Sequence, residues 1–335
     1  MPNVILPCIR AAIPFMILAV VIGAPGLAAA QSAKEATGYP VRPIRIVVPF
    51  PPGGVADIAP RVVGPKLVEA WKRPVVVDNR PGAGGTMATE IVAKAAPDGY
   101  MLLSASANHT ATPAVRAKLP FDTIKDFAGI TLTSSGAYAL VVAPSFSAKS
   151  VKELVALARA KPGQLNFASA GVGSGTHFAG ELFKSQADIN LVHVAYKGTP
   201  EALTDVIAGR VQFYMVPLFA VTGLIKDGKV LALGVSTKSR VPLFPDIPTI
   251  AESGVPAYEW NAWTALLAPA KTPRPIINQL HREVVRVLAL PDVHQRMAAI
   301  GAEVTPIAPA QLDKMIASEI AMTTQLARKA GIKAE

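Results

Sequence analysis

Short apolar segments alternate along this chain with longer segments in which apolar residues recur every three or four positions. Several of the short segments are continuously apolar, as strands buried on both faces are. They predict β-strands at residues 44–50, 74–79, 99–106, 138–145, 165–170, 191–196, 211–216, 230–236 and 262–269. Because the predicted strands alternate with helices, the sequence predicts an α/β fold with mostly parallel sheets.

Two predicted helices carry boundary signals. Ser150 followed by Glu153 is a capping-box pattern, in which the hydroxyl accepts from the amide three residues later. In a second helix we expect Thr199 to act as the N-cap, Pro200 to occupy the first helical position, and Gly209 to end the helix.

Of two other predicted helices, one has a regular apolar face and the other is interrupted by prolines. One places apolar residues on a single face, at Ile277, Leu280, Val284, Val287 and Leu288. The other, within residues 57–71, contains Pro60, expected in the first turn, and Pro65, which removes an interior backbone donor. We therefore expect this helix to be bent or shortened near Gly64.

Residues 1–30 differ from the rest of the chain. A single charge at Arg10 is followed by an apolar run and then by small residues, which is the pattern of a cleavable secretory signal peptide. Pro14 and Pro25 interrupt the run, so a permanent membrane anchor is the less favoured alternative. We expect the mature chain to be exported and soluble, and to form no disulfide because Cys8 is the only cysteine.

Length and charge narrow the class of protein. A chain of 335 residues is long enough for two lobes, and segments 134–147 and 245–263 resemble crossings between them. We assign residues 31–140 and 260–335 to lobe 1 and residues 141–259 to lobe 2. The formal charge is +10, but the lysines and arginines are scattered, so the sequence does not predict binding to nucleic acid.

Glycine-rich loops follow two of the predicted strands. PFPPGGVAD, residues 49–57, contains Gly53 and Gly54. ASAGVGSGTHFAGELF, residues 168–183, offers amides and hydroxyls from Ser169, Gly171, Gly173, Ser174 and Thr176. Ligands of open α/β sheets bind beyond the carboxyl ends of strands, where the first amides of the next helix are unpaired. We predict that both loops face one cleft and bind an anion there, the alternative being two tight turns without a ligand.

Other residues near these loops have two interpretations each. In DNRPGAGGTMATE, residues 78–90, a third glycine cluster either lines the rim of the cleft or only forms a turn; it comprises Asn79, Gly82, Gly84 and Gly85. His109 and His177 could donate to a ligand, although a packed or solvent-facing histidine is favoured. Asp57 could meet an amine of a ligand or hold its own loop, and the local structural role is favoured.

Motifs of known enzyme classes are incomplete. Val172 stands where a G-x-S-x-G motif around Ser174 requires glycine, and neither G-x-G-x-x-G nor G-x-x-x-x-G-K-[ST] is present. The five histidines show no metal-ligand spacing. The sequence therefore predicts no catalytic residue, no metal and no cofactor.

Eight ordered blocks of the sequence match one family. The blocks are YPVRPIRIVVPFPPGGVADIAPR, VVVDNRPGAGG, VAKAAPDGYMLL, LPFDTIKDFAGI, FASAGVGSGTHFAGELF, VAYKGTPEALTDVIAGRV, FPDIPTIAESGVP and WTALLAPAKTP. Together they resemble the Bug-type, or TctC-like, periplasmic solute receptors of tripartite tricarboxylate transporters.

This resemblance implies a two-lobed periplasmic binding protein of the type II, or Venus flytrap, fold with a hinge of crossing strands. It implies a non-enzymatic periplasmic receptor that closes on a small carboxylate, such as a dicarboxylate, an amino acid or an aromatic carboxylate, and delivers it to membrane permease subunits. Family receptors hold the carboxylate with backbone amides and ordered waters. Carried over to this chain, the ligand contacts are Pro52, Gly53, Gly54, Ala170, Gly171, Gly173 and Ser174, with Asp57, Tyr196 and Asp205 nearby; the loop pattern adds Ser169 and His177.

Two departures from the family pattern bear on specificity. HTATPAVR has Thr112 where relatives often have asparagine, and MVPLF, residues 215–219, lacks an aspartate that some relatives carry. We hypothesise a ligand with an apolar or aromatic body rather than a polyacid. An exported enzyme on the same fold and a periplasmic signalling receptor are the alternative functions.

Overall fold

The computed structural model describes residues 38–53, 55–329 and 331–332, and of Val55 only the backbone. The predicted signal peptide and Gly54 lie outside these residues. In the described part, the strands are β1 (Ile44–Val48), β2 (Val75–Asn79), β3 (Met101–Ser106), β4 (Phe127–Val142), β5 (Asn166–Ser169), β6 (Val192–Ala195), β7 (Phe213–Pro217), β8 (Leu231–Val235) and β9 (Asn261–Pro269). Each predicted strand is confirmed, and β4 is much longer than expected.

Helices alternate with these strands. They are α1 (Val55–Trp71), α2 (Thr86–Ala93), α3 (Asn108–Val115), α4 (Val151–Ala160), α5 (Gly175–Ala187), α6 (Thr199–Ile207), α7 (Thr222–Lys226), α8 (Arg274–Leu288), α9 (Pro291–Ala299) and α10 (Pro309–Lys329). Across the described residues, no helix has both the length and the hydropathy that crossing a membrane requires.

The strands pair in the order β2-β1-β3-β9-β4-β7-β5-β6, and β8 pairs with β4. The pairings β1–β2, β1–β3, β5–β6 and β5–β7 are parallel, as predicted. The other pairings between these strands are antiparallel, and each includes β4 or β9. The sheet therefore consists of two parallel groups joined by two crossing strands, which run in opposite directions between the groups.

Strand β4 passes from one parallel group to the other. Its residues 127–137 pair with β9, and residues 138–142 pair with β7. Apolar patterning misses the first half because that half is rich in Ser, Thr and Gly. Buried hydroxyls of Thr133 and Ser134 each lie 2.7 Å from Thr264 Oγ1 on β9. Because these hydroxyls bond to each other across the strands, polar residues can occupy the interior.

The predicted cap of α4 is confirmed, whereas the predicted cap of α6 is wrong. Ser150 Oγ accepts from the Glu153 amide at 3.2 Å, and the Glu153 carboxylate accepts from the Lys149 amide at 2.8 Å. At α6 the N-cap is Gly198, and Thr199 lies inside the helix with its buried hydroxyl 3.2 Å from the Tyr214 hydroxyl. Thr199 cannot cap because its side chain is bonded in the interior instead.

Helix α1 continues through both prolines. Pro60 is its sixth residue, in the second turn rather than the first, and the expected shortening at Pro65 does not occur. The bend near Gly64 stays a prediction. The buried apolar face of α1 packs against the core and offsets the missing backbone donors.

Helix α8 confirms the amphipathic prediction. The five apolar residues predicted for its inner face are all buried, and the helix packs against β4 and α1. It stabilises the long crossing strand from one side.

Candidate functional site

The glycine-rich segments meet in the structure. A Cβ placed on Gly84, whose φ is 65°, would lie only 2.5 Å from the Val172 carbonyl oxygen in the β5–α5 loop. A Cβ on Gly198 would lie 2.8 Å from the ring of Pro51 in the β1–α1 loop. The third glycine cluster therefore lines the contact between loops, in addition to forming its own turn.

A cavity of about 20 Å³ lies where these segments meet. Its walls come from the end of β1, the end of β3, the start of the second half of β4 and the start of α5. The lining residues are Phe50, Ser106, Ala107, Tyr138, Ala170, Ser174, Gly175, Thr176 and Thr199. All are uncharged, and the volume admits roughly one water-sized group.

The first loop takes a smaller part in this cavity than predicted. Pro52 and Gly53 are exposed and are not among the lining residues, whereas Phe50 is. The Gly53 amide donates to Asp57 Oδ2 at 2.8 Å, so a side chain of the same chain occupies this donor. Gly54 lies outside the described residues.

Asp57 holds the first loop in place, the role that the sequence favoured. Its carboxylate is 1% exposed and also accepts from Arg61 Nε at 2.6 Å and from Asn79 Nδ2 at 2.9 Å. The Asn79 amide group donates in addition to the Phe50 carbonyl at 2.9 Å. This network fixes Phe50 at the cavity wall and leaves Asp57 fully bonded inside the protein.

Side chains also accept from the amides of the second loop. The Ala170 amide donates to Thr176 Oγ1 at 2.9 Å, and the Gly171 amide donates to Ser169 Oγ at 3.1 Å. The Gly173 amide donates to His177 Nδ1 at 3.4 Å. A ligand that uses these amides must therefore replace internal hydrogen bonds.

His177 and His193 pack against each other and form hydrogen bonds with this loop. Their rings stack at 4.0 Å, and His193 Nε2 lies 2.6 Å from Ser169 Oγ. Burial lowers the pKa of His177 to about 3 and that of His193 to about 4. Both rings are neutral at pH 7, so His177 Nδ1 can accept from the loop. Neither side chain is among the cavity-lining residues.

The N-terminus of α5 faces the cavity directly. Ser174 is the N-cap, and its Oγ accepts from the His177 amide at 3.2 Å. Gly175 and Thr176 supply the first helical amides, which have no acceptor within a helix. A Cβ on Gly175 would lie 2.6 Å from both Ala107 Cβ and the Tyr138 hydroxyl, so only glycine permits this close approach. The positive end of the helix dipole thus points into the cavity.

Tyr196, Asp205 and His109 are bonded away from the cavity. The Tyr196 hydroxyl donates to Asp205 Oδ2 at 2.7 Å, and Arg210 lies 2.6 Å from Asp205 Oδ1. These hydrogen bonds lower the pKa of Asp205. His109 is buried, and its Nε2–H donates to the Thr123 carbonyl at 3.0 Å, so it is a packed histidine.

Comparison with known proteins finds relatives that match nearly the whole chain. Residues 59–332 match the model of the family described as tripartite tricarboxylate transporter family receptor. Protein BugT of Bordetella pertussis is 34% identical over 319 residues, which are 95% of this chain and 97% of BugT. The chain belongs to the tripartite tricarboxylate transporter receptor family.

Solved members of this receptor family have the same fold. A protein of R. palustris solved with adipate superposes with a TM-score of 0.86 at 32% identity, covering 89% of this chain and 100% of that one. MatC from Rhodopseudomonas palustris, solved with bound malate, gives a TM-score of 0.82 at 32% identity over 86% of this chain and 99% of MatC. The predicted two-lobed periplasmic binding protein fold is confirmed.

The cavity of this receptor contains residues that sequence reasoning did not select. Ser106 ends β3, which neighbours β1 in the sheet, so the rule about carboxyl ends of strands could have identified it. Tyr138 had no such signal, because it lies within a strand and far from any glycine-rich loop. Only the crossing of β4 brings it to the cavity. Among the described residues no three His, Cys, Asp or Glu side chains gather as a metal site requires.

Proposed function

We propose that this chain is a periplasmic receptor that captures a small carboxylate-bearing solute between two lobes and delivers it to the permease of a tripartite tricarboxylate transporter. The observation that carries the proposal is the small cavity at the N-terminus of α5. Its polar lining consists of hydroxyl groups and backbone amides, and these group types donate to an oxygen that only accepts. The adipate and malate of the related structures are carboxylates.

We propose that residues 31–140 and 260–335 form lobe 1 and that residues 141–259 form lobe 2. Two observations support these boundaries: β4 changes its pairing partner between residues 137 and 138, and β9 begins at Asn261. Both crossing strands are then the hinge. Movement there would separate the β5–α5 loop from the first loop without disturbing either parallel group.

Opening is needed because the cavity admits about one water-sized group. A solute of several carbons enters only when the loops move apart. Because its carboxylate would contact residues of both lobes, it stabilises the closed arrangement by its greater affinity for that state.

A ligand with an apolar body remains our hypothesis for specificity. No charged residue is among those that line the cavity. Residues 215–219 are buried apolar positions in β7 and the turn after it. Thr112 packs beside the second loop, with Oγ1 3.3 Å from a Cβ built on Gly173. Neutral surroundings match a solute with one charged end better than a polyacid.

Calorimetry of the mature protein with adipate, malate, glutamate and benzoate tests this function. We expect saturable binding of at least one carboxylate and tighter binding of adipate or benzoate than of malate. Absence of binding to all four would contradict the proposal. Turnover of a bound carboxylate would identify an enzyme instead.

Transport is tested in cells that lack the gene. Uptake of the bound solute should be lost and should return when the gene is restored. Uptake that persists while a transcriptional response to the solute disappears would identify a signalling receptor. Sequencing the N-terminus of the exported protein tests the predicted signal peptide.

A further inference from the structure

Tyr138 is a buried residue whose hydroxyl lies at the cavity. Its side chain is 2% exposed and lines the cavity, and its hydroxyl is paired with the indole N–H of Trp260, a group that can only donate. The hydroxyl oxygen lies 2.6 Å from a Cβ built on Gly175, so it is directly beside the first amides of α5. The indole cannot accept the hydroxyl proton, and a buried donor without an acceptor inside a ligand cavity indicates an acceptor that arrives with the ligand.

Trp260 places a second donor beside this hydroxyl. It is 4% exposed, and its indole Nε1 has no other acceptor among the described residues. The indole N–H faces the Tyr138 hydroxyl closely enough to favour its ionised form. The Trp260 ring stacks on Phe178 of α5 at 6.5 Å, which holds the indole in this orientation.

Ser236 joins the backbones of these two residues. The Tyr138 amide donates to Ser236 Oγ at 2.7 Å, and Ser236 Oγ donates to the Trp260 carbonyl. The Ser236 amide donates to the Tyr138 carbonyl at 2.9 Å. Tyr138 and Trp260 belong to the two hinge crossings, so the pair is fixed by the hinge itself.

We infer that the Tyr138 hydroxyl donates to the carboxylate of the bound solute and that the Trp260 indole orients it; this inference rests on the proposed function. A hydroxyl has one proton and two lone pairs. When its proton points to the carboxylate, its oxygen is free to accept from the indole N–H. Trp260, Tyr138 and the ligand then form one chain of hydrogen bonds.

This chain gives the Tyr138 hydroxyl proton an acceptor only when ligand is present. Each buried donor left unpaired opposes the empty closed arrangement, and an acceptor-only ligand group removes that penalty. Burial raises the pKa of Tyr138, so the hydroxyl keeps its proton at neutral pH. Recognition therefore selects a carboxylate end through neutral donors, with no lysine or arginine in the described cavity lining.

The first test compares Y138F with Y258F in calorimetry, using whichever of adipate, malate, glutamate and benzoate the wild type binds most tightly. Y138F should weaken binding about 10- to 100-fold, the range for a hydrogen bond to a charged group. Tyr258 is equally buried, but its hydroxyl donates to the Ala179 carbonyl at 3.0 Å, outside the cavity. Y258F should lower the denaturation midpoint and leave affinity unchanged.

The second test examines Trp260 as a positioning residue. W260F keeps an aromatic ring and should weaken binding about 3- to 10-fold in the wild-type background. In the Y138F background it should have no further effect, because no hydroxyl remains to orient. A general packing defect would weaken binding by the same factor in both backgrounds and would refute the role of Trp260.

The outcomes separate the two proposals. Wild-type affinity in Y138F, with carboxylate binding intact in the wild type, overturns this inference alone. If the wild type binds none of the four carboxylates, the proposed function fails and this inference fails with it.

Discussion

The two glycine-rich loops have similar sequence patterns but make different contacts in the folded protein. Each follows a parallel strand and precedes a helix. In the first loop, the Gly53 amide is bonded to Asp57, and Pro52 and Gly53 face solvent. In the second, Ser174 and Gly175 place the start of α5 at the cavity. We therefore expect anion binding at a glycine-rich loop only where its helix points at a cavity and no acidic side chain has taken its amides.

The largest effect is expected from D57N, which tests whether the first loop is held internally. Asparagine has one accepting oxygen, so it cannot accept both from Gly53 and Arg61 at the position of Oδ2 and from Asn79 at the position of Oδ1, and a buried donor would be left unpaired. We expect the free energy of unfolding to fall by about 3 kcal/mol, measured by urea denaturation.

The matched control for that variant is D205N. Its pair with Arg210 is on the surface, so the loss should be much smaller than in D57N. Equal losses in the two variants would show that Asp57 has no special structural role.

G175A tests the second loop. The new Cβ would lie 2.6 Å from Ala107 Cβ and from the Tyr138 hydroxyl, so the cavity could not close around a ligand. We expect solute affinity to fall about 10- to 100-fold in calorimetry.

G53A is the corresponding change in the first loop. Nothing lies within 4 Å of its Cβ, although its φ of 78° strains any other residue. It should lower stability and change affinity little. A larger loss of affinity in G53A than in G175A would reverse the comparison between the loops.

Acid should loosen the second loop before the first. The folded pKa of His177, about 3, lies below its ordinary value of 6.5, so the unfolded chain binds protons first as the pH falls. This contribution to stability is fully present above pH 6.5 and is lost toward low pH, by up to about 1.4 kcal/mol per pH unit.

Urea unfolding between about pH 7.5 and pH 4.5 measures that slope. H177N keeps an acceptor for Gly173 and should reduce the slope, leaving the part due to His109 and His193, whose pKa values are both about 4, and the opposing part due to Glu319, whose burial raises its pKa to about 7. Hydrogen exchange should accelerate at Gly173 before Gly53. An unchanged slope in H177N would remove His177 from this explanation.

The smallest effect concerns α1, the helix that follows the first loop. A Cβ on Gly64 would meet only Val75 Cγ1 at 3.9 Å, so alanine fits without a clash. G64A should stabilise the protein by up to about 1 kcal/mol and leave affinity unchanged. A loss of stability would indicate that the helix needs glycine there, as the predicted bend implies.

The sequence correctly predicted the elements whose buried side chains are apolar. The nine strands and the inner face of α8 were predicted because continuous or periodic apolar residues identify them. It missed residues 127–137 of β4, where Thr133 and Ser134 are buried through hydroxyl bonds to Thr264. Such bonds depend on a strand that is distant in sequence, so the local pattern does not reveal them.

For the site, the structure brings the start of the second loop to the cavity and leaves Pro52 and Gly53 of the first loop exposed. Ala170 and Ser174 line the cavity, whereas Tyr196 and Asp205 are paired with each other. Whether an aspartate near a loop meets a ligand or an arginine depends on which side chains the fold places beside it. The tertiary structure therefore determines the partner of the aspartate.

The sequence by itself determined the α/β class, the order of the strands along the chain, the family and a glycine loop that can approach an anion. These follow from apolar periodicity and from the backbone freedom of glycine, which are local properties. The tertiary structure alone decided that β4 brings Tyr138 to Gly175 and that Asp57 occupies the Gly53 amide. The physical reason is that hydrogen bonds form between whichever groups the packing brings within about 3 Å of each other. The spacing of residues along the chain does not determine which groups these are.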